Sequence, residues 1–315
     1  MVLYRVFSTP HLIKHYSTVF SKATVFQIIT YALVILAPFF IAYSTRDFWQ
    51  YTSSYREQAD IHFIGQWIFQ VTTDASPIAK TWSSYNGLNR LLQDDTLSPL
   101  NSEISIPIVK FREQDYNYDR INDQLLLTIE YNELEYNITG IQGLLFFEVS
   151  LNSHASVTLQ GLIHFSNSWS LPASHYWLLG DTLIYQRDPL PATGRLTTHN
   201  TTIYNDTSRL TQDNEIIGIL KNYQQRNLSI SLANRMDYWE YGTGSNFTAH
   251  ISLTFPVQTL IYIPGLWQVL KFAWIQYLAI LVIFYAVLSC VQSFVFQNQI
   301  ILTVQARTDK KPHQR

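Results

Sequence analysis

Cysteine is nearly absent from this sequence, since Cys290 is the only one among 315 residues. A single cysteine cannot form an intramolecular disulfide, so every folded part of the chain must be stable through its own core. Charged residues are also scarce, at 14% of the chain, and two long stretches near its ends contain none. This composition excludes a small disulfide-braced fold and directs attention to the uncharged stretches.

The two uncharged stretches have the length and composition of transmembrane helices. They run from Ala23 to Tyr43 and from Phe272 to Phe296. A helix of about 20 apolar residues crosses the roughly 30 Å hydrocarbon core of a bilayer. We therefore expect a membrane protein with two spans.

A cleaved signal peptide is the alternative for the first stretch. Its apolar run is usually about 7 to 15 residues long and is followed by small residues at a cleavage site. Here the run is longer, residues 1 to 22 precede it, and bulky Phe39, Phe40 and Tyr43 stand where a peptidase needs small side chains. These features favour a membrane anchor.

The charges beside the spans predict an orientation, because basic residues are retained on the cytosolic side of a membrane. Residues 1 to 22 contain three basic residues and no acidic one, and the C-terminal tail has four basic residues against Asp309. Residues 44 to 270 hold 13 basic and 22 acidic residues. We expect cytosolic tails at 1–22 and 297–315, spans at 23–43 and 272–296, and an extracytoplasmic domain at 44–271.

The residues between the spans predict a domain of mainly β structure. Alternating or β-branched and aromatic runs, broken by Gly, Asn and Pro, are typical of strands. The best candidates are Leu125 to Tyr131, Gly143 to Leu151, Val157 to Phe165, Tyr176 to Tyr185 and Ala249 to Ile263. One helix is expected from an N-cap at Asp213 to near Asn227, with Ile216, Leu220 and Tyr223 on one face.

The predicted fold class is therefore a two-helix transmembrane hairpin with a large extracytoplasmic, mainly-β, sandwich-like domain that carries at least one helix. Five Asn-x-Ser/Thr triplets lie in that domain and agree with its exposure to glycosylation. About three would occur by chance in so polar a segment. The candidate glycosylation sites are Asn137, Asn200, Asn205, Asn227 and Asn246.

The sequence contains no phosphate-binding glycine motif, nucleophile elbow, zinc HExxH motif or paired-cysteine site. His154, His164 and His175 lie in or beside apolar strands at irregular spacing, which is typical of packing residues rather than ligands. We expect no enzyme activity, no catalytic residues, no cofactor, no nucleic-acid partner and no small-molecule substrate.

One acidic segment has the oxygen spacing of a calcium loop. Asp115, Asn117, Asp119 and Asp123 occupy positions 1, 3, 5 and 9 of that pattern. Arg120 stands where the pattern requires glycine, and Leu126 stands where it requires a bidentate glutamate. A solvated acidic turn is the favoured interpretation, with calcium as the alternative.

Polar side chains inside the spans predict contact between them. Gln27 lies one turn inside the first span, at a depth similar to that of Ser289 and Gln292 in the antiparallel second span. A hydrogen bond between them would contribute about 0.6 kcal/mol, so it would orient the hairpin more than hold it. Pro38 predicts a bend in the first span.

Six segments spread along the sequence are distinctive. They are LYRVFS (Leu3 to Ser8), SKATVF (Ser21 to Phe26), SSYREQ (Ser53 to Gln58), YQQRN (Tyr223 to Asn227), PGLWQVLKFAWIQY (Pro264 to Tyr277) and FVFQNQ (Phe294 to Gln299). With these segments as its markers, the chain resembles the transmembrane protein 231 family nearly from end to end.

The resemblance implies a non-enzymatic component of the ciliary transition zone, within the Meckel-syndrome module. Such a protein helps to form the membrane diffusion barrier that controls ciliary membrane composition, and it supports cilium assembly. The implied partners are other membrane and soluble proteins of that module, together with the lipid bilayer. Two spans around a large extracytoplasmic domain are also what the family implies.

The segment at the end of the second span is the candidate contact for such partners. Its candidate residues are Phe294, Phe296, Gln297, Asn298 and Gln299. The alternative is an ordinary helix end within an aromatic belt.

A competing hypothesis for the whole chain is a two-span ion-channel subunit with a large outer domain. The second span has no stripe of Gly or Ser suited to a pore and no flanking ring of charge, which disfavours it.

Overall fold

The computed structural model describes residues 13–45, 48–74, 79–93, 106–132, 134, 136–191, 194–204 and 216–307. The chain divides into two compact units. The first combines both ends of the chain, Met1–Tyr51 and Gly265–Arg315, and is called the hairpin unit below. The second is the middle of the chain, Thr52–Pro264, and is called the β unit.

The described residues contain fourteen strands and four helices in all. The strands are β1 Ile13–Tyr16, β2 Ser53–Glu57, β3 Asp60–Thr73, β4 Lys80–Ser83, β5 Ile108–Gln114, β6 Gln124–Tyr131, β7 Ile138–Leu151, β8 Ser156–Ser168, β9 Ala173–Gln186, β10 Arg195–Leu196, β11 Leu228–Tyr241, β12 Phe247–Thr254, β13 Gln258–Tyr262 and β14 Val304–Arg307. The helices are α1 Lys22–Ser44, α2 Asn86–Gln93, α3 Ile216–Gln224 and α4 Leu266–Gln297.

Helix α1 has a well-defined beginning. The Ser21 hydroxyl accepts a hydrogen bond from the Thr24 amide at 3.3 Å and so satisfies one of the free N–H groups of the first turn. Inside the helix, the Thr30 hydroxyl donates to the Phe26 carbonyl at 2.8 Å, which satisfies that hydroxyl within the apolar segment. The helix ends where the Thr45 amide bonds to the carbonyls of residues 41 and 42.

Helices α1 and α4 are both candidate membrane spans, with mean hydropathies of 2.3 and 2.4 over their most apolar windows. Their apolar side chains mostly remain exposed, as Phe40 does at 65% and Ile283 at 63%. A helix that is apolar all round and not covered by protein suits a lipid environment. Helix α4 begins at Leu266, ahead of the predicted span start at Phe272.

The β unit contains two five-stranded sheets. Their strand orders are β10-β8-β7-β3-β4 and β11-β9-β12-β6-β5. Most neighbours are antiparallel, but β12 runs parallel to β9 and β10 runs parallel to β8. One hydrophobic core draws on both sheets, with Phe147 on β7 and Leu178 on β9 completely buried. The expected mainly-β, sandwich-like domain with a helix is thus confirmed.

Four of the five predicted strands are confirmed, since they lie within β6, β7, β8 and β9. The fifth, Ala249 to Ile263, is wrong as a single strand. The ladder of β12 ends at Thr254 and β13 starts only at Gln258, with Pro256 between them. Proline has no N–H to donate to a ladder, so the chain leaves one sheet there and joins another.

Helix α3 includes the apolar face that the sequence predicts, while its proposed N-cap, Asp213, lies outside the described residues. Ile219 and Tyr223 are the buried residues of this helix. The Tyr223 hydroxyl accepts from the amides of Leu162 at 3.0 Å and Ile230 at 2.8 Å. Because Leu162 belongs to β8 and Ile230 to β11, this one side chain links the two sheets.

The two ends of the β unit lie side by side. Strand β2 pairs antiparallel with β13, with Ser53 opposite Tyr262 and Glu57 opposite Gln258. A ring cluster packs above this pair, because Tyr55 stacks on His154 at 4.7 Å and meets Tyr262 edge-on at 5.3 Å. The chain therefore enters and leaves this unit through adjacent strands.

Candidate functional site

The candidate site is the hairpin unit, where α1 and α4 pack against each other. The Gln292 amide donates a hydrogen bond to the Gln27 side-chain oxygen across the pair. The structure thus brings together two of the three polar residues expected to meet, and Ser289 is half-buried three residues earlier on α4. Further along, the Tyr277 hydroxyl donates to the Ile35 carbonyl at 3.4 Å. Polar contacts therefore join the helices at two depths.

A small antiparallel ribbon joins the segments beyond these helices. Strand β1 pairs with β14 so that Ile13 lies opposite Arg307 and Tyr16 lies opposite Val304. The His15 ring nitrogen Nδ1 is 2.9 Å from the Thr303 hydroxyl oxygen. Neither strand was predicted, because four-residue segments beside a long apolar run carry too little periodicity to be recognised.

Phe296 packs against other rings of the hairpin unit. Its ring is 5.9 Å from Phe26 in an edge-on contact and 5.7 Å from His15. It therefore packs α4 onto both α1 and β1 and is half-buried. Phe294, by contrast, is 61% exposed.

The residues after Phe296 form the C-terminal cap of α4. The Gln299 amide bonds to the Phe296 carbonyl at 3.2 Å and the Ile300 amide bonds to the Val295 carbonyl at 3.1 Å. Gln299 has the left-handed φ of +48° that such a cap requires. These two bonds define a Schellman motif, so the segment from Gln297 to Gln299 has a structural role in ending α4. Gln297, Asn298 and Gln299 are nevertheless exposed, and partner contact through them stays a prediction.

The end of the hairpin near Pro38 contains an apolar groove of about 520 Å³. Its walls come from α1, α4 and the segment after α1. Phe39 contacts Phe48 edge-on at 6.0 Å along one side. The groove is lined by Ile35, Leu36, Phe39, Phe48, Leu270, Ala273, Trp274 and Tyr277.

The acidic segment of the β unit forms the connection between β5 and β6. Asp115 accepts bonds from the amides of Tyr118 at 2.7 Å and Arg120 at 2.9 Å. Asp119 accepts from the Ile121 amide at 2.8 Å. These carboxylates thereby stabilise the left-handed backbone of Tyr118 and Arg120, whose φ angles are +60° and +72°.

Asp123 closes this turn from the other side. It accepts bonds from the Gln58 side chain and from the Tyr116 amide, both at 2.8 Å. These two bonds lower the pKa of its carboxyl. Across the described part of the chain, no three Asp, Glu, His or Cys side chains form a group able to hold a metal ion. Calcium binding through Asp115, Asn117, Asp119 and Asp123 stays the alternative to a solvated acidic turn, and calcium titration calorimetry is the direct measurement that distinguishes the two.

The candidate glycosylation sites differ in their surroundings. Asn200, Asn227 and Asn246 are exposed. Asn137 is half-buried, and its side-chain nitrogen, the atom that would carry a glycan, donates to Asp74 at 2.9 Å. Asn205 lies outside the described residues.

The three histidines singled out by the sequence lie among packed side chains. His154 is stacked against Tyr55. His164 lies 3.0 Å from the Gln142 side-chain nitrogen, and burial, followed by the charge of Arg235, lowers its pKa. His175 packs against Trp177 at 5.5 Å.

Comparison with known proteins gives a match along nearly the whole chain. The family described as Transmembrane protein 231 matches residues 1–305. Transmembrane protein 231 of Xenopus tropicalis is 32% identical over 310 residues, which is 96% of each chain. The Mus musculus protein of the same name is 31% identical over 308 residues, covering 96% of this chain and 95% of its own.

Among solved structures, the cryo-EM structure of a proton-activated chloride channel aligns with 87% of this chain and 99% of its own. The identity is 7% and the TM-score is 0.23, so this likeness carries no argument about fold or function. The family match and the relatives do carry one. This chain belongs to the transmembrane protein 231 family.

Proposed function

We propose that this protein is a non-enzymatic structural component of the ciliary transition zone. In this role it helps to form the membrane diffusion barrier that controls ciliary membrane composition, and it supports cilium assembly. The observation that carries the proposal is the family match over residues 1–305, joined to identity of 32% over 96% of both chains with a named relative. The two candidate spans supply the membrane anchor that such a role requires.

The proposed topology has both termini in the cytosol and the β unit on the extracytoplasmic side. It is supported by the absence of acidic residues before Asp47, because basic residues without acidic neighbours are retained in the cytosol. The exposed asparagines of three glycosylation triplets agree with it. The β unit also needs no disulfide in that compartment, since its core is continuous across both sheets.

The hairpin unit is the proposed assembly element. Its two hydrogen bonds between helices set how α1 and α4 face each other, while most apolar side chains of both helices remain available to lipid or to partner helices. Phe294 and Gln297 are among the exposed side chains at the proposed cytosolic end. Membrane and soluble proteins of the Meckel-syndrome module are the proposed partners there.

Localisation and partner recovery test this proposal together. The full chain, with a proximity-labelling enzyme at its C-terminus, is expressed in ciliated cells that lack their own family member. The expected result is a signal at the ciliary base, restored exclusion of non-ciliary membrane proteins and labelling of transition-zone proteins. Labelling confined to resident proteins of the secretory pathway, without rescue, overturns the proposal.

A matched pair of variants tests the contact surface. Replacing Gln297 to Gln299 with alanine alters the exposed end of α4, whereas Ala279→Leu changes an exposed residue in the middle of the same helix. The first variant is expected to reduce recovery of soluble module subunits and the second to leave it unchanged. Equal recovery with both would place partner binding elsewhere on the protein.

A further inference from the structure

The second sheet of the β unit carries an aromatic surface on the face that points away from the core. Alternation along β9 buries Tyr176 and Leu178 and turns Trp177 outward. Neighbouring strands add residues beside it, of which Met236 is 66% and Tyr238 64% exposed. The outer-face patch comprises His175, Trp177, Leu179, Met236, Tyr238 and His250.

The rings of this patch form one continuous surface. In the strand register, Trp177 lies between Tyr238 on β11 and His250 on β12. The Trp177 ring is 5.4 Å from the Tyr238 ring and 5.6 Å from the His250 ring. The planes of the Trp177 and His250 rings differ by 23°. His175 extends the surface, because its ring lies 6.4 Å from His250 in a stacked arrangement. A contiguous group of aromatic and apolar side chains on the surface of a folded domain is a candidate binding surface.

Asn246 stands at the edge of the patch. It immediately precedes β12, where Phe247 is buried at 1% exposure, so alternation places Asn246 on the outer face with Thr248 and His250. Thr248, the hydroxyl residue of the Asn246 triplet, lies opposite His175 in the register. At about 3.3 Å per residue, Asn246 is roughly 13 Å along the strand from His250, within reach of a short oligosaccharide.

We propose that an N-glycan on Asn246 folds back over the outer-face patch and covers it. Pyranose rings present flat C–H faces that pack on aromatic rings, while their hydroxyls need polar partners at the rim of a site. Glu240 and Glu130 supply acceptors there, since Glu240 lies opposite His175 and Glu130 opposite Thr248. The inference rests on the proposed extracytoplasmic position of the β unit, because N-glycans are added on that side.

Asn227 provides an internal comparison. It precedes β11 at the end opposite the patch, where Leu228 pairs with Gln186. Tyr238 is eleven residues further along that strand, or about 36 Å at the rise of a β-strand. A glycan on Asn227 therefore cannot reach the patch with its first sugars, and Asn200 lies in a loop next to β10.

The rate of enzymatic deglycosylation of the folded protein tests the proposal. The full chain is produced in cultured animal cells, purified in detergent and treated with peptide N-glycosidase, and each glycopeptide is followed by mass spectrometry. In the native protein the Asn246 glycan is expected to be released about tenfold more slowly than the glycans on Asn200 and Asn227, because stacking shields its linkage. After denaturation all should be released at one rate.

Two variants connect the protection to the patch. Trp177→Ala combined with Tyr238→Ala is expected to raise native release at Asn246 to the rate seen at Asn200. Tyr185→Ala, which removes a 54% exposed aromatic residue from the same strand outside the patch, should leave the protection unchanged.

The outcomes separate this inference from the proposed topology. Equal native release at Asn246 and Asn200 overturns the inference, and so does glycosylation of Asn200 and Asn227 without Asn246. In both cases the extracytoplasmic position stands. Absence of glycan from every site overturns the inference and removes the support that the triplets give to the topology, which then rests on the charges beside the spans. Protection of Asn246 that survives removal of both rings would assign the shielding to other residues and overturn the role of the patch.

Discussion

The two units of this protein use the same apolar residue types in opposite ways. In the hairpin unit Phe40 is 65% exposed, whereas in the β unit Phe147 is fully buried. The difference reflects the surroundings, because an apolar side chain in lipid has no water to escape and needs no protein cover. The comparison shows that hydrophobic content alone does not locate a core, and that the two units should respond differently to the same substitutions.

The largest expected effect is on the core of the β unit. Phe147→Ala should lower the free energy of unfolding of the β unit by about 3–5 kcal/mol, since it removes a fully buried ring and leaves a cavity. Phe40→Ala, in α1, should leave that free energy unchanged. Chemical unfolding of the full chain in detergent, followed by tryptophan fluorescence, measures both. Similar losses from the two variants would break the distinction between the units.

A smaller effect is expected where α3 joins the sheets. Tyr223→Phe removes the hydroxyl that accepts from Leu162 and Ile230 and leaves two buried amides without that partner. The cost should be about 1–3 kcal/mol of unfolding free energy. Tyr185→Phe is the control, because Tyr185 is 54% exposed. If both variants unfold at the same denaturant concentration as the unmodified chain, the hydroxyl does not stabilise the sheet-to-sheet link.

The polar contact inside the hairpin should matter less. Gln292→Leu removes the donor to Gln27, and the association of α1 with α4 should weaken by only about 0.6 kcal/mol. Energy transfer between dyes at the two helix ends, during titration with dodecyl sulfate, reports this association. Gln297→Leu makes the same change at an exposed position. If Gln292→Leu weakened the association of α1 with α4 several times more than this, polar contacts would be the main stabilising interaction of the hairpin unit, in the way that core burial is for the β unit.

The smallest expected effect is a pH dependence of the β unit at His62. Burial alone lowers the pKa of this imidazole, but Glu113 at 3.3 Å and Asp60 at 3.1 Å outweigh it, so the pKa is raised above 6.5. Because the pKa of His62 is higher in the folded state, His62 stabilises the fold fully below about pH 6.5. This contribution is lost as the pH rises through the pKa of His62 in the folded state. His62 is half-exposed, and solvent screening limits the contribution to a few tenths of a kcal/mol. The unfolding temperature of the His62→Gln variant should therefore change less between pH 6 and pH 8 than that of the unmodified chain. An identical change in both proteins would show that His62 does not contribute to the pH dependence.

The strands that the sequence reveals most clearly are those with strict alternation. Strand β6 buries Leu125, Leu127 and Ile129 in turn, so its period is visible without any knowledge of its neighbours. Strand β11 is harder to recognise, because its first residues are buried while Met236 and Tyr238 are exposed. Its pairing with β9 decides that pattern, and no local signal in the chain encodes it.

In the candidate site, too, some features can be predicted from the local sequence and others depend on the pairing of distant segments. Gln27 and Gln292 can be paired from the sequence, because depth in an antiparallel hairpin follows from counting residues at 1.5 Å each. Phe294 and Phe296 look equivalent in the sequence, yet only Phe296 packs against Phe26 and His15. The ribbon of β1 and β14, which brings His15 there, is a pairing of segments from opposite ends of the chain.

The sequence by itself determined the two candidate spans, the absence of disulfides, the β character of the middle region and the family. These properties depend on local composition or on residues in fixed order, and a length of apolar residues suits a bilayer wherever it occurs. Only the tertiary structure decided that Asn137 bonds to Asp74 while Asn246 is exposed at the edge of an aromatic patch. It also decided that one predicted strand divides at Pro256 between two sheets. Such distinctions arise from contacts between residues far apart in the chain, and those contacts exist only once the chain has folded.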